Sequence, residues 1–145
     1  MAEKRSIFIP ILWRIVALVG FILLILLINV FSPFIENSMY QEVVKFVNDN
    51  LFLIFLISFV FVVSELFWML HFPFNLPSPL FSAVAWVLLA WFLFNVLEFL
   101  DLITGSRISP FISSYLYLIY TIIFVIVVIL EYFQIFSKMR RRNRH

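Results

Sequence analysis

Long apolar stretches of the sequence contain charged residues, among them Arg14, Glu65 and Glu131. A charged side chain at the centre of a membrane helix costs about 2.5 to 3.5 kcal/mol, so such residues usually pair with one another or serve a function. A guanidinium can face two carboxylates at once, and pairing offsets most of the desolvation cost. We therefore predict that Arg14 lies between the two glutamates and bridges three helices. The alternative is that each side chain reaches the lipid headgroups separately.

A second polar group contains Asn29, at the end of the first apolar stretch, and Asn95, Glu98 and Asp101, which follow one another at three-residue intervals. Residues three apart share one face of a helix. Arg107, in the following connection, can reach this face. A solvated helix end explains Asp101 and Arg107 most simply, whereas Asn95 and Glu98 are predicted to hydrogen-bond with Asn29 between helices.

The sequence offers little material for catalysis. It has no cysteine, and its only histidines are His71 and His145, so neither a metal-ligand spacing nor a nucleophilic triad can be assembled from a motif. Two glycines, Gly20 and Gly105, cannot form a phosphate-binding loop. We predict no catalytic residues, no cofactor and no metal site; an enzyme acting on lipids is the third-ranked interpretation.

The composition requires a membrane as solvent. Of 145 residues, 65% are hydrophobic and 12% are charged, and the mean hydropathy is +1.13. A soluble domain normally has about a quarter of its residues charged. Four apolar blocks, at about 7–31, 51–70, 81–100 and 111–136, match the roughly 20 residues that a helix needs to cross a bilayer. The predicted fold is an all-α integral membrane protein, a four-transmembrane-helix antiparallel bundle forming one domain over 1–136, with a tail at 137–145.

The orientation follows from lysine and arginine, which are retained on the cytoplasmic side. Lys4 and Arg5 precede the first block, and an even number of crossings places both termini in the cytoplasm. Counted from that side, the three buried charges share a depth. The tail is predicted to contact anionic lipid headgroups, worth about 1 kcal/mol per basic residue near the surface, and no nucleic acid. Its basic residues are Lys138, Arg140, Arg141, Arg142 and Arg144.

The two connections beside the second block differ in character. In the first, apolar residues recur at three- and four-residue steps from Ile35 to Val47, which predicts a short amphipathic helix on the outer surface. A helical extension of the second block fits the same spacing. The connection at 71–80 is uncharged and contains Pro73, Pro77 and Pro79, which is typical of a short turn.

These features predict a non-enzymatic accessory, assembly or protective subunit that acts through helix contacts with a membrane protein partner or a second copy. No block except the first contains a glycine, so the broken helices of many transporters are not indicated. The alternative is a small oligomeric channel, a holin-like pore, or an ion or proton carrier. Such a protein would use the carboxylates of Glu65, Glu131 and Glu98.

Overall fold

The computed structural model describes residues 8–70 and 72–142, and the regular structure in these two ranges is entirely helical. Helices take up 87% of the described residues, and no strand occurs among them. In hydrocarbon no water satisfies backbone N–H and C=O groups, so a chain this apolar meets those requirements within helices.

Four helices are long and apolar enough to cross a membrane: α1 (Phe8–Phe31), α3 (Leu51–Met69), α4 (Ser78–Thr104) and α6 (Leu116–Arg142). Two shorter helices, α2 (Ser38–Asp49) and α5 (Ser109–Ser113), lie in the connections, and a 3-10 turn, Ser32–Phe34, follows α1. The prediction of an all-helical chain with four helices long and apolar enough to span a membrane is confirmed.

Two helix starts differ from the sequence-based boundaries. Helix α4 begins at Ser78, before the predicted 81, because Pro79 falls in the first turn, where a missing N–H breaks no helical hydrogen bond. The fourth long helix begins at Leu116 instead of 111, because α5 forms a separate turn. There the hydroxyl of Ser113 donates to the carbonyl of Pro110 at 2.8 Å, a local bond that competes with a continuous helix.

The chain divides between Phe55 and Leu56 into two compact units. In the N-terminal unit, α2 is tied back to the end of α1. The side chain of Asn37 caps α2 by accepting from the backbone N–H of Met39 at 2.9 Å. The Tyr40 hydroxyl donates to the carbonyl of Ile28 at 2.8 Å, and the Gln41 amide donates to the carbonyl of Ser32 at 2.7 Å.

Helix α2 is separate from α3, with Asn50 as the single residue between them. The amide of Asn50 donates to the carbonyl of Phe46 at 2.9 Å and so binds the last turn of α2. The structure has a twelve-residue helix here, and its place on the outer membrane surface stays a prediction. Val44 is buried in α2, whereas Glu42 and Lys45 are exposed.

In the C-terminal unit, α4 packs against α6, and Ser82 near the start of α4 contacts Glu131 late in α6. The rings of Phe67 and Phe81 stack at 5.3 Å between α3 and α4. Small residues, including Ala83 and Ala85 with 0% exposure, fill the first turns of α4 and allow close approach of its neighbours.

Candidate functional site

The polar side chains of the C-terminal unit meet where α3 ends and α4 begins. The hydroxyl of Ser78 donates to the carbonyl of Ser64 at 2.9 Å, and the hydroxyl of Ser64 donates to the carbonyl of Ser78 at 3.1 Å. Ser64 and Ser78 are 6% and 1% exposed. The reciprocal bonds join α3 to α4 and satisfy two hydroxyls that water does not reach.

Ser82 extends this contact to a third helix. It lies one turn beyond Ser78, so both hydroxyls leave one side of α4, but the hydroxyl of Ser82 donates to Oε1 of Glu131 on α6. Ser82 is 5% exposed. A donor at a carboxylate makes a stronger hydrogen bond than a neutral pair does. We call Ser64, Ser78, Ser82 and Glu131 the serine–glutamate cluster.

Further contacts attach the last turns of α6 to the same end of the unit. The hydroxyl of Tyr132, next to Glu131, donates to the carbonyl of Leu76 in the connection before α4, at 3.1 Å. Lys138 Nζ lies 5.7 Å from the ring centroid of Trp68 on α3, a cation–π distance. The C-terminal half of α6 therefore contacts both α3 and α4.

The predicted bridge of Arg14 with Glu65 and Glu131 stays a prediction. Arg14 belongs to α1, but its side chain lies outside the described residues. Glu65 and Glu131 are both half-buried. Over the part of the chain that the structure describes, no salt bridge is found, and the partner it gives Glu131 is Ser82, a residue that the sequence analysis did not assign to this site.

The second predicted polar group is distributed over different contacts. Asn29 donates to its own helix at the carbonyl of Ile25, at 2.9 Å, and exchanges hydrogen bonds with the amide of Asn48 on α2, at 2.8 and 3.1 Å. Its predicted link to Asn95 and Glu98 stays a prediction. In the sequence, nothing except its position in the predicted amphipathic helix singled out Asn48 as a partner of Asn29.

Asp101 closes the connection between α4 and α5. It is 8% exposed and accepts from the hydroxyl of Ser106 and, at 2.6 Å, from the backbone N–H of Ser109. Gly105 ends α4 with φ of 68°, a left-handed conformation that turns the chain back toward Asp101. Arg107 is exposed. The succession of an acid, a glycine and two serines is the sequence signal for this loop.

A groove of about 270 Å³ opens beside α4, α5 and α6 and includes two residues of the predicted outer group, Asn95 and Glu98. The hydroxyl oxygen of Tyr120 is buried and has no hydrogen-bond partner among the described residues. The lining residues are Trp91, Phe94, Asn95, Glu98, Ser113, Leu116, Tyr117 and Tyr120.

The basic tail is described in part. Lys138 and Arg140 are exposed on the last turns of α6. Arg141 and Arg142 continue the helix, although their side chains, like the whole of Arg144, lie outside the described residues. Within the described ranges, no group of three His, Asp or Glu side chains is placed to hold a metal ion.

Comparisons of this chain with known protein families, with curated proteins and with solved structures find no match.

Proposed function

We propose that this chain is a multi-pass membrane protein that acts as a non-enzymatic accessory or assembly subunit, with apolar helix faces contacting the helices of a partner membrane protein. The observation that carries the proposal is the serine–glutamate cluster, in which polar side chains inside the spans bind the chain's own helices together. Its hydroxyls join α3 to α4 and α4 to α6. Such contacts hold a scaffold in shape.

The hydrogen bonds of two polar residues within the long helices, Thr121 and Ser64, support the same function. A channel needs polar groups that face a common lumen. The hydroxyl of Thr121 instead donates to the carbonyl of Tyr117 in its own helix, at 2.7 Å, and Ser64 bonds with Ser78. A small oligomeric channel, a holin-like pore or a carrier is therefore the second candidate, favoured by the intramembrane carboxylates of Glu65, Glu131 and Glu98.

The surface offered to a partner is concentrated on α6. In the most apolar 18-residue stretch of α6, none of the residues is buried inside the chain, compared with 17% in that of α4. Ile126 and Ile129 on α6 are 51% and 61% exposed, whereas Ile135 is 2% exposed. Since lipid tails are as apolar as these side chains, close packing must supply the specificity of a partner contact.

The proposal includes an antiparallel bundle with both termini in the cytoplasm, α2 on the outer surface and the basic tail against anionic headgroups. Cysteine accessibility tests this topology directly, because the sequence contains no cysteine. In sealed cells, a thiol reagent that cannot cross membranes is expected to label a Glu36→Cys variant and not an Asn143→Cys variant, with both labelled after permeabilisation. The reverse pattern would overturn the orientation.

Photo-crosslinking in native membranes tests the partner contact. A crosslinking amino acid at Ile126 or Ile129 is expected to give one defined protein adduct of constant size, whereas the same amino acid at Ile135 gives none. The control is matched because all three positions lie on α6 and start from isoleucine. Adducts with lipid alone at both exposed positions would refute a partner on this face.

Proton flux into liposomes separates the two candidate functions. The purified protein is expected to conduct no more than empty vesicles do. A carrier would conduct, and Glu131→Gln would abolish its conduction, because glutamine accepts the hydrogen bond from Ser82 but carries no titratable proton. Flux that disappears in this variant would replace the accessory function with the carrier.

A further inference from the structure

The groove beside α4, α5 and α6 is the strongest unassigned feature of the C-terminal unit. We propose that it binds the primary ammonium group of a phospholipid headgroup of the ethanolamine class. This inference requires that the chain lies in a bilayer, but it does not depend on the accessory function.

Charge is the first argument. Glu98 is the only formally charged residue in the lining, and no basic side chain of the described ranges forms a salt bridge with it. A carboxylate at the edge of hydrocarbon is stabilised by a cation. The groove has space for a cation that belongs to another molecule. Its volume of about 270 Å³ is several times the ~30 Å³ of a water molecule, so it admits an ammonium with a short alkyl chain.

The depth of the groove fits a headgroup. Glu98 lies one turn before Asp101, whose carboxylate binds the loop that ends α4. With a rise of 1.5 Å per residue, Glu98 is roughly 5 Å below this polar loop. That level corresponds to the boundary between headgroups and hydrocarbon, whichever side of the membrane the loop faces.

The lining chemistry selects an ammonium. Four aromatic residues, Trp91, Phe94, Tyr117 and Tyr120, contribute to the lining. Aromatic faces attract organic cations within about 6 Å, and the attraction increases when water is excluded. An anionic headgroup would instead meet the negative charge of Glu98 and no basic lining residue.

The oxygen atoms of the lining favour a primary over a quaternary ammonium. Among the described residues the buried Tyr120 hydroxyl has no hydrogen-bond partner, which costs free energy unless an occupant supplies one. The hydroxyl of Ser113 donates to Pro110 and keeps its lone pairs free to accept. Together with the Glu98 carboxylate, three side chains offer acceptors to the three N–H groups of a primary ammonium. A trimethylated ammonium has no N–H to donate.

Lipid titration of the delipidated full-length protein, read by native mass spectrometry, tests the proposal. The probes are phosphatidylethanolamine, phosphatidylcholine and phosphatidylglycerol with identical acyl chains. The ethanolamine lipid is expected to bind first and on the order of tenfold more tightly than the other two, the size expected for hydrogen bonds to charged groups. Glu98→Gln is expected to remove this preference and Tyr120→Phe to reduce it severalfold. The control Glu36→Gln, which removes a carboxylate outside the groove, is expected to leave the preference for the ethanolamine lipid unchanged.

Three results would overturn the inference. One is equal affinity for the three lipids in the wild-type protein. Another is a preference for ethanolamine that persists in both groove variants. If Glu98→Gln fails to fold, Tyr120→Phe, which removes only one oxygen atom, still shows whether the preference depends on the groove. The third is competition by water-soluble glycerophosphoethanolamine at concentrations similar to the lipid, which would assign the groove to a free amine.

Discussion

Replacing Ser82 with alanine removes the hydroxyl that donates to Glu131 between α4 and α6. We expect this substitution to destabilise the folded protein, because the carboxylate loses a donor at a position that water reaches poorly. The side chain loses one oxygen atom and no carbon, so cavity formation contributes little and the measured change reports the hydrogen bond itself.

The expected magnitude follows from the two partners. Hydrogen bonds between membrane helices contribute about 0.6 kcal/mol on average and up to about 1.7 kcal/mol. An ionised acceptor makes a bond roughly twice as strong as a neutral one. At a pH where Glu131 is ionised, Ser82→Ala is therefore expected to lower the free energy of unfolding by about 1 to 2 kcal/mol. In a Glu131→Gln background, where the acceptor is neutral, the same substitution should cost about 0.6 kcal/mol.

Reversible unfolding in mixed micelles, driven by a denaturing detergent and followed by circular dichroism, measures all four members of this double-mutant cycle. Ser113→Ala is the matched control, because that hydroxyl is exposed and donates within its own turn, to Pro110. Its effect should stay within about 0.5 kcal/mol. If Ser82→Ala costs no more than Ser113→Ala, or costs the same with glutamate and with glutamine at position 131, the hydrogen bond does not brace the helices.

Substitutions at three more positions test other features. Ser64→Ala should lower the free energy of unfolding by about 0.6 to 1.7 kcal/mol in the same assay, because it removes the hydroxyl that donates to the carbonyl of Ser78; an unchanged value would contradict the reciprocal bond. Asn48→Ala should accelerate hydrogen exchange in α2, since it removes the amide pair with Asn29. Exchange at the wild-type rate would show that the pair does not hold α2. Gly105→Ala should destabilise by about 1 kcal/mol because of its φ of 68°, and Gly105→Asn by less; equal stabilities would contradict the left-handed conformation.

The lengths of the helices were largely predictable from the sequence. A bilayer leaves few ways to satisfy the backbone, so runs of about 20 apolar residues indicate spanning helices. Proline positions were harder to interpret, because a proline that ends one segment can also begin the next helix. Pro79 was assigned to a connection but lies in the first turn of α4.

The partners of the polar side chains could not be predicted. Glu131 was recognised as a residue that needed a partner, and the sequence suggested arginine because opposite charges attract over long distances. The structure gives it Ser82, forty-nine positions earlier in the chain. Serine is common in membrane helices and has no charge, so nothing in its local sequence distinguishes a bonding serine from one that faces lipid.

The sequence alone therefore determined the helical class, the number of helices long and apolar enough to span a membrane, and the residues whose burial has to be compensated, since these depend on composition and on distances along the chain. Tertiary structure decided which helix meets each polar group. A hydrogen bond requires a donor and an acceptor within about 3 Å, and only the packing of α3, α4 and α6 brings such atoms together.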